Sequence, residues 1–187
     1  DVSRTIARSA LQMLSFEGLV RIERNRGAFV ANPSPDEARQ LFAARRTVEP
    51  GIVEAACAHA NAKDIRALKD HLAEERSQMD QHGPAARRAE IRASGDFHLM
   101  LAAMGGNAIL QRFMDELVAR SSLVIALYGR SGASSCGHND HLKIVAALEA
   151  RDCAAAQTLV LHHIDHIEAD LDLRGVAGLD LKQALQL

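Results

Sequence analysis

The sequence predicts a mostly α-helical protein in which one helix and a β-hairpin precede an all-α helical bundle. Hydrophobic residues make up 48% of the 187 residues, but aromatic residues only 3%, and there is no Trp. A core built mainly from Leu, Ala, Ile and Val suits packed helices better than strands, which favour aromatic and β-branched residues. Apolar residues also recur at helical spacing along most of the chain beyond Pro35.

The first unit covers residues 1–32. Ser3 suits the N-cap of a helix over residues 2–16, and Gly18 suits its C-terminal end. Two alternating segments, 19–22 and 28–31, flank the turn residues 25–27 and predict a short hairpin.

Two prolines within residues 33–36 indicate a hinge, and Ser34 suits the N-cap of the helix that follows it. Helical patterns then cover 36–60, with a kink expected near Pro50, and 62–81, 85–104, 107–128, 138–150 and 152–174. The segment "GRSGASSCG", 129–137, is predicted to be a loop. The helical domain therefore spans 37–174 and is followed by a tail, 175–187.

Charge and cysteine content narrow the classes of protein. The net charge is −2, yet residues 1–30 carry five Arg against three acidic residues, so a small basic unit precedes an acidic one. Three widely spaced cysteines argue against a disulfide framework and a cysteine-based zinc motif, and they fit a reducing cytoplasm. No apolar run is long enough to span a membrane, so we expect a cytoplasmic protein with no membrane partner.

A helix followed by a hairpin with a basic, glycine-containing tip is typical of the second half of a winged helix. The N-terminal residues of such a helix reach base edges in the major groove, where the planar fork of Arg binds guanine or phosphate. The candidate DNA contacts are Ser3, Arg4, Thr5 and Arg8 on the helix, with Arg26 and Gly27 at the tip of the wing. The alternative is a solvated basic helix beside a packed hairpin.

The segment "VSRTIARSALQMLSFEGLVRIERNRGAFV" resembles the recognition helix and wing of the GntR family of bacterial transcription regulators. The matching positions are Val2, Ser3, Arg4, Arg8, Ala10, Leu11, Leu14, Glu17, Gly18, Leu19, Val20, Gly27 and Val30. The resemblance implies two further helices before this point, which would cover Leu11, Leu14 and Leu19, and the sequence does not include them.

Three histidines on three different helices are predicted to face inward. With about 100° of rotation per residue, His98, His141 and His163 each share or border the apolar stripe of their helix, whereas His162 points outward and His166 lies at the border. A single inward histidine is usually a core residue. Three such imidazoles suit Zn²⁺ or Ni²⁺ and leave coordination positions open.

Residues from about 38 to 173 resemble the FCD ligand-binding domain of the FadR subgroup of GntR regulators. The family segment R-x-x-L-E matches Arg45 and Glu49, and the segments "FHLMLAAMGGN" and "HLKIVAALEARDCAAA" match the histidine motifs. The resemblance implies that His98, His141 and His163 bind a divalent metal. Family members have Asp four residues before the first histidine; here Ser94 stands there, so water or an effector carboxylate would complete the shell.

The resemblance also places an effector pocket beside these histidines. Its candidate contacts are Arg45, Ser94, Asn107, Arg120, Ser121 and Tyr128. Arg45 could bind an acidic ligand in bidentate geometry or form a salt bridge with Glu49, four residues later. Asn107 could equally be a helix N-cap. His138 and His166 border the inward faces, and the run "EERSQMD" is predicted to be a solvated face.

Together these features predict a homodimeric, effector-controlled transcription regulator, and the expected sign is repression relieved by a small organic acid. The dimer would bind a pseudo-palindromic DNA operator. One alternative is a regulator that senses the metal itself. Another is a metal-dependent hydrolase, which is disfavoured because Asp96, the nearest carboxylate in sequence, points away from His98. We therefore expect no enzymatic activity.

Overall fold

The computed structural model describes residues 2–79, 83–130 and 134–174. It confirms a mostly α-helical chain with one small two-stranded antiparallel sheet among these residues. The elements are α1 (Arg4–Phe16), β1 (Val20–Glu23), β2 (Gly27–Val30), α2 (Pro35–His59), α3 (Ala62–Met79), α4 (Pro84–Met104), α5 (Ala108–Tyr128), α6 (Ser134–Glu149) and α7 (Cys153–Ala169). None of the helices described combines the length and apolar character that a membrane crossing needs.

Helix α1 has its N-cap at Ser3 and ends at Phe16, as the sequence indicates, but begins at Arg4 rather than at residue 2. The Ser3 hydroxyl accepts a hydrogen bond from the Ile6 amide at 3.3 Å, and Gly18 has a φ of +77° just beyond the helix. A side chain is rarely tolerated at such a φ, which is why glycine suits this position. No residue of α1 is buried within the part of the chain that the structure describes.

The hairpin strands lie one residue away from their expected limits. Val20 pairs with Val30 and Glu23 pairs with Gly27. Each strand is therefore shifted by one residue towards the turn, to 20–23 and 27–30 instead of 19–22 and 28–31. Asn25 has a φ of +61°, a left-handed conformation that Asn tolerates better than most residues. The turn is therefore tighter than its composition indicated.

Helix α2 begins with a capping box. The Ser34 hydroxyl accepts from the Glu37 amide, and the Glu37 carboxylate accepts from the Ser34 amide at 2.8 Å. Pro35 occupies the first helical turn, where its missing N–H has no cost. The helix then continues through Pro50 without interruption to His59.

Helices α2–α7 form one bundle around a core of aliphatic and aromatic side chains. Phe42 of α2, Leu68 of α3, Phe97 of α4, Ile144 of α6 and Ile164 of α7 are all fully buried. Helix α2 packs along α7, α5 and α4, and α6 packs between α3 and α7. The charged residues that α2, α3 and α6 bury are consequently brought to the same interior.

Two helix ends differ from the sequence expectation. Helix α6 begins at Ser134 rather than His138, inside the segment expected to be a loop. Helix α7 ends at Ala169 rather than at 174, because Leu171 forms a β-bridge with Gly129 and Asp172 donates its amide to the Tyr128 carbonyl at 2.8 Å. Tertiary pairing with the end of α5 thus overrides the helical pattern. The tail at 175–187 and the expected end of the second bundle helix at Gln81 lie outside the described residues.

The expectation of no disulfide is wrong for one pair. Cys57, near the end of α2, and Cys153, the first residue of α7, form a disulfide with their Cα atoms 5.6 Å apart. The two lie 96 residues apart in sequence, and only the packing of α2 against α7 brings them together. Cysteine spacing therefore carried no signal for this pair.

We expect reduction to destabilise the bundle. Closing a loop of this length restricts the unfolded chain, and native disulfides typically contribute about 2–4 kcal/mol. Urea unfolding should give a smaller free energy of unfolding with reductant than without it.

The Cys153→Ser variant should be equally stable under both conditions, whereas Cys136→Ser should retain the difference. If reductant leaves the stability of the unsubstituted protein unchanged, the disulfide does not form in solution.

Candidate metal centre and ligand cavity

The three inward histidines meet at one point of the bundle core. The Nε2 atom of His163 lies 3.2 Å from that of His98 and 3.1 Å from that of His141. All three side chains are buried, on α4, α6 and α7. The ring of Phe97 stacks on His141 with centroids 4.0 Å apart, which restricts how that imidazole can rotate.

Buried carboxylates lie behind these imidazoles. The Nδ1 atom of His98 lies 2.7 Å from Oε2 of Glu49, and Nδ1 of His141 lies 3.2 Å from Oε1 of Glu75. For His163 the nearest carboxylate is Asp140, whose Oδ2 lies 3.8 Å from Nδ1. That distance is longer than a hydrogen bond, and Nδ1 of His163 has no other partner among the described residues.

These contacts determine where the protons lie on two of the rings. An ionised carboxylate only accepts hydrogen bonds, so Nδ1 of His141 carries the proton that it donates to Glu75. Nδ1 of His98 lies 2.7 Å from Glu49 but outside hydrogen-bond geometry, and the negative charge there also favours the proton on Nδ1. A neutral imidazole then has a lone pair at Nε2. The Nε2 lone pairs of His98 and His141 therefore both face Nε2 of His163, which can donate at most one proton between them.

Burial keeps the three rings neutral. Desolvation lowers the pKa of each of His98, His141 and His163 from 6.5 to about 4. For His98 and His141 the facing carboxylates oppose this effect without overcoming it. At neutral pH all three side chains are thus in the form that binds a metal ion.

The carboxylates stay ionised despite being buried. Burial raises the pKa of Glu49, but the charges of Arg45 and His98 and their hydrogen bonds lower it well below its usual range. Burial also raises the pKa of Glu75, and its hydrogen bonds with His141 and His138 bring it down to about 2. The pKa of Asp140 is lowered by its interaction with His163 and by the His166 and Lys143 side chains, against the effect of burial.

The residues present fit a divalent metal by two independent criteria. Imidazole nitrogens bound about 2.0–2.1 Å from a tetrahedral zinc ion lie roughly 3.3 Å apart, close to the separations of 3.1 and 3.2 Å here. The buried charges of the described residues are also unbalanced, since Glu49 is paired with Arg45 and Asp140 with Lys143, whereas Glu75 is paired only with histidines. A dication at the three Nε2 atoms would offset the excess negative charge of Glu75.

A cavity of about 300 Å³ opens beside His163. Its walls are mostly apolar but include a basic residue and several acidic ones. It is lined by Glu75, Met79, Arg87, Glu90, Ile91, Ser94, Ile125, Gly129, Gly137, His138, His163, His166, Ile167, Ala169, Asp170 and Leu171. A space of this size, apolar with a few polar groups, is typical of small-molecule sites.

Of the expected effector contacts, only Ser94 lies on the described wall of this cavity. Arg45 forms the salt bridge with Glu49 that the sequence left as the alternative, and its Nη1 donates to the Ser121 hydroxyl at 3.3 Å. The Asn107 side chain accepts from the amides of residues 109 and 110 and so is an N-cap. These contacts account for Ser121 and Asn107 without a ligand, whereas Nη2 of Arg45 is buried and has no hydrogen-bond partner among the described residues.

Arg120 and Tyr128 lie where the bundle meets the N-terminal unit. The Tyr128 hydroxyl donates to the Pro33 carbonyl at 2.7 Å. The Arg120 guanidinium lies close to Gly18, so that a Cβ atom added at Gly18 would be 3.4 Å from it. Arg120 also lines a second cavity of about 320 Å³. Both residues are therefore at the junction between the two units rather than beside the histidines.

The expected DNA contacts lie at the exposed end of α1 and at the hairpin tip. Arg4, Thr5 and Arg8 are all exposed, and Ser3 is the N-cap described above. At the tip, Arg26 pairs with Glu23 and lies over the Phe29 ring at 5.7 Å from its centroid. Gly27 has a φ of +106°, which favours glycine.

The sequence analysis did not identify two buried carboxylates beside the histidines, those of Glu75 and Asp140. The burial of Glu75 also contradicts an expectation. Glu75 lies in the run expected to be a solvated face, but its side chain is only 5% exposed and bonds both His138 and His141. Its spacing from Leu68 and Leu72 puts it on the buried face of α3, so helical phase could have identified it. Asp140 had the same signal, since the buried Ile144 and Ala147 lie four and seven residues further along α6, on the same face.

His162 is exposed, as helical phase predicts, and Asp96 is exposed too, away from the three Nε2 atoms. His166 is 43% exposed and its Nδ1 lies 2.7 Å from Oδ2 of Asp140. His138 is buried and its Nδ1 lies 2.8 Å from Glu75. Both histidines line the cavity, in agreement with their predicted border position.

Acid should destabilise the chelator-treated protein before its carboxylates titrate. Because the pKa of each buried histidine falls from 6.5 to about 4 on folding, the unfolded chain binds more protons between these values. The free energy of unfolding should therefore be constant above pH 6.5 and fall as the pH drops towards 4, by up to about 1.4 kcal/mol per pH unit for each histidine.

Urea unfolding at a series of pH values measures this slope. The His98→Gln variant should show a shallower slope, since two histidines remain instead of three. A free energy of unfolding that stays constant between pH 6.5 and 4 would show that these imidazoles are not buried in the neutral form.

Comparison with known proteins agrees with this architecture. Residues 40–166 match the model of the FCD domain family. A Uxu operon regulator of Haemophilus influenzae is 28% identical over 91% of this chain and 68% of its own length. The transcriptional repressor NanR of Escherichia coli is 27% identical over 90% of this chain and 70% of its own.

Solved structures give the same result. The structure of a GntR transcriptional regulator from Rhodococcus matches this one with a TM-score of 0.75 and 26% sequence identity. The match covers 90% of this chain and 80% of the Rhodococcus chain. The Escherichia coli protein McbR/YncC, at 16% identity, shares the fold with a TM-score of 0.76 over 90% of this chain and 85% of its own. The two curated relatives are regulators, and the chain belongs to the FCD domain family of GntR transcription regulators.

Proposed function

We propose that this regulator is controlled by a small organic acid that binds in the cavity beside a metal held by His98, His141 and His163. The observation that carries the proposal is the set of three Nε2 atoms, two with their lone pairs directed at the third, at the edge of a cavity. Neither feature is needed for the stability of a helical bundle. Together they provide a cation and a space for its ligand.

The metal would be zinc or nickel, because imidazole nitrogen suits both and three histidines leave positions open. When bound, such an ion attracts carboxylate oxygens. Glu49 and Glu75 position His98 and His141 through their Nδ1 atoms, an arrangement that raises metal affinity. Ser94 lies on the cavity wall four residues before His98, where a carboxylate would have supplied a stronger protein ligand.

The effector would place its carboxylate at the metal and its remaining atoms in the cavity. Ile91, Ile125 and Ile167 provide apolar contact, and Arg87 is the basic residue on the wall. Arg87 is paired with Glu90 at 3.1 Å, so its positive charge is already largely balanced. The metal rather than a wall residue is therefore the group that would attract an acid.

Helix α5 offers a physical connection from the cavity to the N-terminal unit. Ile125 lines the cavity, whereas Tyr128 and Arg120 on the same helix contact Pro33 and approach Gly18. An effector controls DNA binding only if its affinity differs between the DNA-bound and DNA-free arrangements. A shift of α5 when the cavity fills would change the position of α1, and we propose that this relieves repression.

DNA binding would use α1 and the hairpin of each subunit of a homodimer. Arg4 and Arg8 are exposed on one face, one turn apart, where their guanidinium groups can bind guanine or phosphate. Arg26 and Gly27 at the hairpin tip would approach the backbone or minor groove. A symmetric dimer then requires a pseudo-palindromic operator.

A regulator that senses the metal itself is the second candidate. The buried carboxylate of Glu75, which is paired only with histidines among the described residues, supports it, because its charge gives the interior an affinity for a dication that does not require an acid. Titrating operator binding separately with metal, chelator and acids distinguishes the two candidates. Control by metal alone, with no effect of acids, would favour the sensor.

Removing a proposed ligand should abolish metal binding at the histidine site. We expect His98→Ala to lose tightly bound zinc or nickel, measured by mass spectrometry after gel filtration. Glu75→Gln should weaken metal affinity about 10–100-fold, because loss of such a hydrogen-bonding partner typically has this effect.

The matched control is His59→Ala, which removes an exposed histidine at the end of α2 and should leave metal content unchanged. The metal proposal fails if protein purified without chelator contains no metal and takes up neither ion.

Filling the cavity should abolish the response to acids. In full-length Ile125→Trp the indole takes the place of an acid, so the affinity for the operator, selected from random duplexes, should be fixed at one value. A panel of mono-, di- and hydroxycarboxylic acids should no longer change that affinity, whereas for the unsubstituted protein a typical coupling would be about 5–150-fold.

The control Ile109→Trp lies on the same helix but is 57% exposed and away from the cavity, so it should respond normally. If both variants respond like the unsubstituted protein, the effector binds elsewhere.

A further inference from the structure

A second group of possible metal ligands lies on the outside of the bundle, where α6 meets α7. It consists of Asp140, His162 and His166, each of which offers one ligand atom. These three atoms lie within 4.8 Å of one another. Neither His162 nor the surface it occupies has a part in the function proposed above.

Helical geometry explains why two of the three are close. His162 and His166 are one turn apart on α7, so their side chains lie on the same face. Both are exposed, and their ring centroids lie 4.1 Å apart. Two imidazoles at this spacing on one helix can bind the same ion.

The third ligand comes from the neighbouring helix and is already oriented. Asp140 of α6 is only 4% exposed. Its Oδ1 accepts from Nζ of Lys143 at 3.2 Å, and its Oδ2 lies 2.7 Å from Nδ1 of His166. A fixed carboxylate beside a pair of exposed imidazoles reduces the entropy that a metal site must lose on forming.

We propose that Asp140, His162 and His166 form a second divalent-metal site, exposed to solvent and separate from the buried histidines. Two imidazole nitrogens and one carboxylate oxygen suit Zn²⁺, Ni²⁺ or Cu²⁺, with water in the remaining positions.

Asp140 connects this outer site to the inner one. Its Oδ2 lies 2.7 Å from Nδ1 of His166 and 3.8 Å from Nδ1 of His163. An ion at the outer site therefore lies behind the ring of His163. Binding of an ion at the outer site would therefore change the electrostatic potential at the buried His163 imidazole.

The test counts metal equivalents by calorimetric titration of the chelator-treated full chain with Ni²⁺. Compared with the unsubstituted protein, His162→Ala should bind one equivalent fewer. His162 is exposed and its replacement leaves the buried histidines intact, so the fold should be kept, as circular dichroism would verify. His59→Ala, another exposed histidine, should bind the same number as the unsubstituted protein.

The His98→Ala variant separates the two sites. It should lose the buried site but still bind the nickel ion at the outer site, which His162→Ala loses. This result is expected whether or not the buried site holds nickel in the unsubstituted protein. Copper bound to His98→Ala should show nitrogen hyperfine coupling in its electron paramagnetic resonance spectrum, and this should disappear in the double variant with His162→Ala. If His162→Ala and the unsubstituted protein bind equal numbers of ions, the outer site does not exist.

Discussion

The bundle is organised around the pairing of buried imidazoles with buried carboxylates. Glu49 and Glu75 fix the proton of His98 and of His141 on the outer nitrogen, which leaves both inner nitrogens as lone pairs directed at His163. Three helices supply these rings and two others supply the carboxylates. One polar cluster therefore constrains the relative positions of five helices. At its centre, the single Nε2 proton that His163 can carry cannot satisfy the Nε2 lone pairs of both His98 and His141.

Electrostatics indicates why such a cluster is tolerated in an apolar core. Burying carboxylates is costly unless they are paired, and a partly satisfied buried network is worse than an apolar one. Here Arg45 pairs with Glu49 and Lys143 with Asp140, but Glu75 is paired only with histidines among the described residues. A divalent ion at the imidazoles would neutralise the remainder, so the same atoms that strain the metal-free bundle would stabilise the loaded one.

Much of the fold and part of the site followed from local sequence patterns. Helical phase separated buried His163 from exposed His162, although they are adjacent, and the capping residues Ser3 and Ser34 marked two helix starts. Features that depend on packing between distant segments were not predictable in this way. The Cys57–Cys153 disulfide and the early end of α7 both arise from contacts between elements far apart in sequence.

The candidate effector contacts show the same limit. The resemblance nominated Arg45 and Asn107; Arg45 forms a salt bridge but keeps a buried Nη2 without a partner among the described residues, and Asn107 is a helix cap. The cavity is instead bordered by Arg87, Glu90 and Asp170, which no local motif had indicated. X-ray absorption at the metal edge of the purified protein tests the central claim most directly. A shell of three imidazole nitrogens at about 2.0–2.1 Å is the expected result, and a bound metal whose spectrum shows no imidazole scattering would contradict it.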